Sequence, residues 1–186
     1  MKKIVTNVAL FQLGWLGCVL AAANHMPLIG TAAAMLVVLW HLATVFDPRK
    51  ELTLLLVAAL IGTTWESLLV SAGWLQYPSG MFSQGIAPIW IIAMWMLFAT
   101  TLNVSLRWLK NRLALAALLG AVAGPAAFFT GYKLGGVYMP DITTAMLALA
   151  VGWSVLMPLL MMLSNRIDGV YPQLAYARIT GRNRHA

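Results

Sequence analysis

The chain has 186 residues, of which 61% are hydrophobic and only 9% charged, with a formal net charge of +7. An ordinary soluble domain carries roughly 25% charged residues, and a chain this short has too much surface per unit volume to hide so many apolar side chains from water. Composition therefore excludes a soluble globular domain and points to lipid as the solvent for most of the molecule.

In chain order, the first apolar span runs from about Ile4 to Ala23. Lys2-Lys3, the apolar stretch and Ala21-Ala22-Ala23 have the outline of a cleavable signal peptide. The stretch is long and carries Asn7, Gln12 and Trp15, so it reads as a membrane helix. Cys18 lies within it as the single cysteine, which excludes an intrachain disulfide and a multi-cysteine metal site. Asn24-His25 form a minimal turn before a second span from about Met26 to Phe46. The polar cluster Asp47-Pro48-Arg49-Lys50-Glu51 interrupts, and a third span covers about Leu52 to Ala72. Between Gly73 and Ile86 lies an uncharged connection rich in glycine and aromatic residues. The fourth span is expected at about Ala87 to Leu106, the fifth at Leu113 to Tyr132 and the sixth at Thr143 to Leu163.

The expected fold is thus all-α: a polytopic transmembrane bundle of six helices over 1–163, followed by a basic tail, 164–186. In this arrangement Lys2, Lys3, Arg49, Lys50, Arg107, Lys110, Arg112, Arg166, Arg178, Arg182 and Arg184 fall on one side and only Lys133 on the other. Positive loops stay in the cytoplasm, so both termini and the basic tail are expected there, with Tyr77 and Lys133 across the membrane. The same distribution argues against nucleic acid as a partner, because phosphate binding needs cations gathered on one folded face. Membrane lipid is the expected partner instead.

Gly120 and Gly124 form a small-xxx-small pair that lets another backbone approach closely. With Pro125 beside them, they predict a tightly packed, central fifth helix.

Glu66 is the leading candidate for chemistry, because an acidic group within a span costs several kcal/mol and marks a site by default. It lies on the third helix with Gly62, Thr63, Leu69 and Val70 as neighbours, a face that should point into the bundle. A proton carrier, an acid catalyst and a structural carboxyl all fit the residue. The loop carrying Trp74, Tyr77, Pro78, Met81 and Phe82 reads first as an ordinary interfacial loop, and second as a lid dipping into the bilayer beside Glu66. Trp90 falls near a span end, where an aromatic belt accounts for it, and Gln12 is placed to link two polar layers. On the basic side Asn7, His41, Thr100, Asn103 and Arg107 lie at similar depth, with Asn103 expected to hydrogen-bond across helices. His41 has no companion at metal-ligand spacing, so no metal and no cofactor is expected. Phosphate-cradling, dinucleotide and nucleophile-elbow motifs are absent from the sequence, so any enzyme here would use membrane-embedded acid, amide and aromatic groups.

The segments FQLGW, APIW, FATTLN-x-SLRWL and GAVAGPAAFFTGYKLG together resemble an uncharacterised family of small bacterial inner-membrane proteins. The matching positions include Gln12, Trp90, Asn103, Gly124, Pro125 and Lys133. In that family the genes often stand near those for cyclopropane-synthase-like methyltransferases and flavin-dependent oxidases. The resemblance implies a multi-pass protein of the bacterial inner membrane with a role in modifying membrane lipids or fatty acyl chains, as an enzyme or as the membrane partner of soluble lipid-modifying enzymes. A fainter similarity links the order Glu66, Tyr77, Pro88, Trp90 to membrane carotenoid-modifying enzymes. A small proton-linked transporter or flippase, assembled as a homo-oligomer, is the second reading, and a structural membrane partner without an active site is the third. An enzyme needs a lipid-accessible cavity around Glu66; a transporter needs a polar path from Glu66 to the Asn103 layer.

Overall fold

The computed structural model describes residues 2–171, so the tail arginines Arg178, Arg182 and Arg184 lie outside the described residues. The described chain is all-helical: α1 (Lys2–Ala23), α2 (Pro27–Thr44), α3 (Pro48–Ser71), α4 (Ile89–Leu102), α5 (Leu113–Lys133) and α6 (Ile142–Arg166), with a short 3-10 turn at Arg107–Leu109. Five of these helices are long and apolar enough to cross a membrane, and α4 is the shorter one. The chain is therefore a multi-pass membrane protein. Helices suit that solvent because every internal backbone group is satisfied within its own segment.

Helix starts follow the local chemistry. Pro27 and Pro48 stand in the first turns of α2 and α3, where a missing N–H costs nothing. The Asp47 side chain accepts from Lys50 N and that of Asp141 from Thr143 N, so both act as N-caps. His25 takes a positive φ of 58° in the α1–α2 turn. The expected polar interruption at 47–51 is shorter than the sequence suggested. Capped by Asp47 and opened by Pro48, α3 already includes Glu51.

Connectivity alternates up and down, so Lys2, Lys3, Arg49, Lys50, Arg107, Lys110, Arg112 and Arg166 gather at one end, here the basic end, while Lys133 lies at the far end. Two expectations about the bundle need correction. The fourth span was expected to run to Leu106, but α4 stops at Leu102, with Asn103 as its C-cap. At 14 residues it covers only about 21 Å, against roughly 30 Å of hydrocarbon. The centre of the bundle is α4, not α5: nine of the 14 residues of α4 are buried, against five of 21 in α5. A mostly buried helix needs neither charge nor a long apolar run, which is why its sequence looks ordinary.

The packing has two blocks. Helices α1 to α4 pack around α4, while α5 packs almost wholly on α6, and α6 touches α3 and α4 more lightly. Gly120 and Gly124 do mediate close approach, as expected, but to α6: a Cβ at Gly120 would overlap the Trp153 carbonyl oxygen, and one at Gly124 the Trp153 indole. Likewise, a Cβ at Gly62 would overlap the Trp95 indole and one at Gly152 the Trp65 indole. Trp95 and Trp153 stack with centroids 5.0 Å apart, joining the two blocks in mid-bundle. Both α5 and α6 continue as helix through Pro125 and Pro158.

The contact at Gly120 is with backbone, which cannot rotate away. Gly120→Ala should therefore lower stability by about 1–3 kcal/mol, read as a fall in melting temperature in detergent. At Gly17 an added Cβ lies 3.9 Å from its nearest neighbour, Ala33, so Gly17→Ala should be neutral or gain up to about 1 kcal/mol from helix propensity.

Candidate functional site

Because α5 is held through α6, it stands apart from α1, and an apolar cleft of about 720 Å³ opens between them with α4 as its floor. Its walls carry Phe11, Gln12 and Trp15 from α1, Trp90, Trp95 and Phe98 from α4, and Ala123, Ala127 and Phe128 from α5. The cleft follows α4 from Trp90 past Thr101 to Ser105 and Leu109. The twelve helical steps from Trp90 to Leu102 alone make roughly 18 Å. At the far end the loops close it, with Tyr77, Gly136 and Val137 among the lining residues.

Glu66 sits at that closed end with no exposed surface. Tyr77 Oη donates to Glu66 Oε2 at 2.8 Å, while Oε1 has no hydrogen-bond partner among the described residues. The Trp95 indole stands close to the carboxyl but forms no hydrogen bond of standard geometry to Oε1. Tyr77 is itself placed by an edge-to-face contact with Trp90 at 5.5 Å. The Trp90 indole N–H donates to Ser79 O, and the Ser79 hydroxyl donates to Ala22 O at the end of α1. A Gln76–Tyr138 bridge fastens the same loop to the α5–α6 connection. Of the loop residues that a lid would dip in, Tyr77 and Met81 pack against the core, whereas Phe82 is 75% exposed and Trp74 39% exposed.

The other candidates separate. Gln12, Glu66, Tyr77 and Trp90 share the cleft. His41 and Asn103 belong to a second, buried polar centre at the basic end. Lys133 joins neither: it is exposed at the end of α5, with its ammonium 5.2 Å from the Phe129 ring centre and 5.7 Å from that of Tyr132.

The second centre is organised by Glu51, which the sequence reading left among loop charges. Its carboxyl is fully buried and accepts from His41 Nε2 at 3.0 Å, Asn103 Nδ2 at 2.9 Å and Gly169 N at 3.1 Å. Asn103 Nδ2 also donates to Ile167 O, so it does link helices as expected. Nearby, Arg107 and Lys110 both donate to Asp168 Oδ2, and Lys110 donates to Ser164 O. Burial pushes the Lys110 ammonium below its ordinary value, against the opposing pull of Asp168. Burial alone would raise Asp168, but the hydrogen bond and charge of Lys110, with the Arg107 charge, hold it below the usual carboxylate range. The signal for Glu51 was present in the sequence. An Asp-Pro helix start places the residue three positions after proline in the first turn, facing the same way as the next buried residues, Leu54, Leu55 and Ala58.

Chemically the two centres differ. In the Glu51 centre, the carboxyl oxygens already accept from an imidazole, an amide and a backbone N–H, so it serves to join α2, α3, α4 and the segment after α6. In the Glu66 centre one carboxyl oxygen has no partner among the described residues, and Glu66 lines an apolar space large enough for a ligand. Among the described residues no group of three or more His, Cys, Asp or Glu side chains is arranged to hold a metal ion.

Residues 4–159 match a family described as a protein of unknown function, DUF2878. The chain belongs to this family. Searches of curated proteins and of solved structures give no match. The match agrees with the motifs' resemblance to an uncharacterised family, and what the site does must be argued from its own geometry.

Removing the Glu51 carboxyl would take away the acceptor of the buried His41 ring nitrogen and Gly169 N–H and leave Asn103 Nδ2 with Ile167 O alone. Glu51→Leu should cost about 3 kcal/mol or more, as breaking a buried polar pair does. Thermal unfolding in detergent measures it, and a loss under about 0.5 kcal/mol would show that the cluster does not hold the blocks together.

Proposed function

We propose that this protein is a multi-pass protein of the bacterial inner membrane that takes the hydrocarbon chain of a membrane lipid into the α1–α5 cleft and takes part in modifying that lipid or its acyl chain, with Glu66 carrying a proton. The observation that carries the reading is a long apolar cleft lined at one end by a buried carboxyl that has one oxygen held by Tyr77 and the other without a partner among the described residues.

The cleft is partly open and its walls are mostly apolar, so a chain enters from the bilayer with few polar groups to desolvate. Its elongated shape along α4 fits an extended chain. At its closed end, Tyr77 fixes one Glu66 oxygen, which orients the other at whatever part of the chain arrives there, and general acid–base work needs such a group within direct hydrogen-bond reach. A soluble lipid-modifying enzyme acting with it would meet the membrane at the basic end, where cations also favour anionic headgroups by about 1 kcal/mol each.

The transporter reading required polar groups between Glu66 and the Asn103 layer. Along α3 the buried residues between Glu51 and Glu66 are Leu54, Leu55, Ala58, Ala59 and Gly62, over roughly 22 Å of helix. The cleft walls add the uncharged polar groups Gln12, Thr101 and Ser105 but no further ionisable group towards the basic end, which favours lipid-chain binding over a proton-linked path.

Glutamine keeps the shape of Glu66 but cannot exchange a proton. Glu66→Gln should leave expression and melting temperature near those of the parent while abolishing rescue of the lipid profile in cells lacking the gene, measured at matched protein level. Full rescue by Glu66→Gln would remove Glu66 from the chemistry.

A further inference from the structure

Resting on the lipid-binding reading above, we infer that the cleft selects a neutral long-chain lipid whose polar end is a hydroxyl group, seated on Glu66 Oε1. Three observations point to this chemistry. The first is the inventory of the walls. Among the described lining residues Glu66 and Tyr77 are the ionisable groups, and none is Lys, Arg, His or Asp. A phosphate or carboxylate head at this end would be desolvated with no counter-ion and would face a carboxyl, the combination that buried charges avoid.

The second observation concerns cations. An ammonium head is held in proteins by aromatic faces presented as a cage, and Trp95 and Trp153 line this cleft. Their faces are already used: the two indoles stack on each other with an interplanar angle of 9°, Gly62 packs on the Trp95 ring and Gly124 on that of Trp153. Tyr77 meets Trp90 edge to face. The aromatic surface near Glu66 is therefore internal packing, with no cage left to receive an ammonium group.

The third observation is the carboxyl itself. Oε2 is occupied by the Tyr77 hydroxyl, and the fully buried Oε1 is without a partner among the described residues. A buried polar atom left unpaired is costly, so a ligand that completes it gains affinity. A hydroxyl does so in both protonation states: it donates to a carboxylate oxygen and accepts from a carboxylic acid. An ester carbonyl completes only the second, and a plain hydrocarbon neither.

The test uses the purified full chain in nanodiscs and four probes with the same dibrominated C18 chain: the alcohol, the acid at neutral pH, the trimethylammonium and the hydrocarbon. Bromine quenches indole fluorescence on contact, and Trp15, Trp90, Trp95 and Trp153 line the cleft. The alcohol should quench saturably and bind at least about tenfold more tightly than the other three, the difference expected for one buried hydrogen bond made or left unmade. Glu66→Leu should reduce the alcohol to the level of the hydrocarbon. Glu66→Gln should keep alcohol binding within about threefold of the parent, since an amide also donates and accepts. If all four probes quench saturably with equal affinity, or the ammonium binds best, the hydroxyl selectivity is wrong while the lipid cleft stands. If none quenches saturably, and narrowing the cleft by Ala127→Leu changes nothing, the cleft is not a lipid site and both readings fall.

Discussion

The arrangement rests on the buried Glu51 carboxyl. Three donors from α2, α4 and the segment after α6 converge on it, and the neighbouring Asp168 is held by Arg107 and Lys110. A Cβ at Gly169 would overlap Asp47 O, so the chain after α6 lies flat on the start of α3. This fastening pins α6 to the α1–α4 block at the basic end. The Trp95–Trp153 stack pins it in mid-bundle, and the Gln76–Tyr138 bridge ties the loops at the far end. All three fastenings act on α6 or its connections, so α5 is carried on the outside and the cleft between α1 and α5 is left open. The space is a consequence of which helix is bolted down.

A cleft made in this way has a chemistry set by its floor. Apart from Thr101, the residues of α4 facing it are aromatic or apolar, and glycines on α3 and α5 let the indoles lie flat instead of projecting into the space. Against that background one carboxyl oxygen dominates the interaction a ligand can make. Its partner Tyr77 comes from a loop that is itself tied to α1 by the Ser79 hydroxyl and to the α5–α6 connection through Gln76. The position of the carboxyl is thus set by contacts from both blocks, and any change in cleft width would be felt at Glu66.

Much of this was legible in the sequence, and the part that was not has physical causes. Long apolar runs separated by basic clusters set the helix count, because lipid leaves the backbone few alternatives. Glu66 stood out since an acid inside an apolar run is costly to keep there, whereas the uncharged loop read as interfacial and in fact brings Tyr77 onto the carboxyl. Glu51 was missed because it is surrounded in sequence by Arg49 and Lys50, where an acid looks like a solvated loop charge; only the Asp-Pro helix start showed that it turns inward. The centrality of α4 was hidden because a mostly buried helix and a helix facing lipid have the same apolar composition. His41 and Asn103 were read as lying at one depth, as they do, but their shared acceptor lay outside the set considered. Lys133 was grouped with the site through its motif alone, and motif membership does not fix where a side chain points.

The central claim is that the cleft holds one kind of lipid, as distinct from lying against bulk bilayer. Phe128 lines the cleft, while Val122 on the same helix is 63% exposed on the outer surface of the bundle. A photo-crosslinking amino acid placed at each position in turn, activated in intact cells and followed by mass spectrometry of the adducts, compares the two environments directly. The account predicts one dominant long-chain lipid class attached at position 128 and the general membrane mixture at position 122. The same mixture at both positions would show that the cleft is ordinary lipid-facing surface and would contradict it.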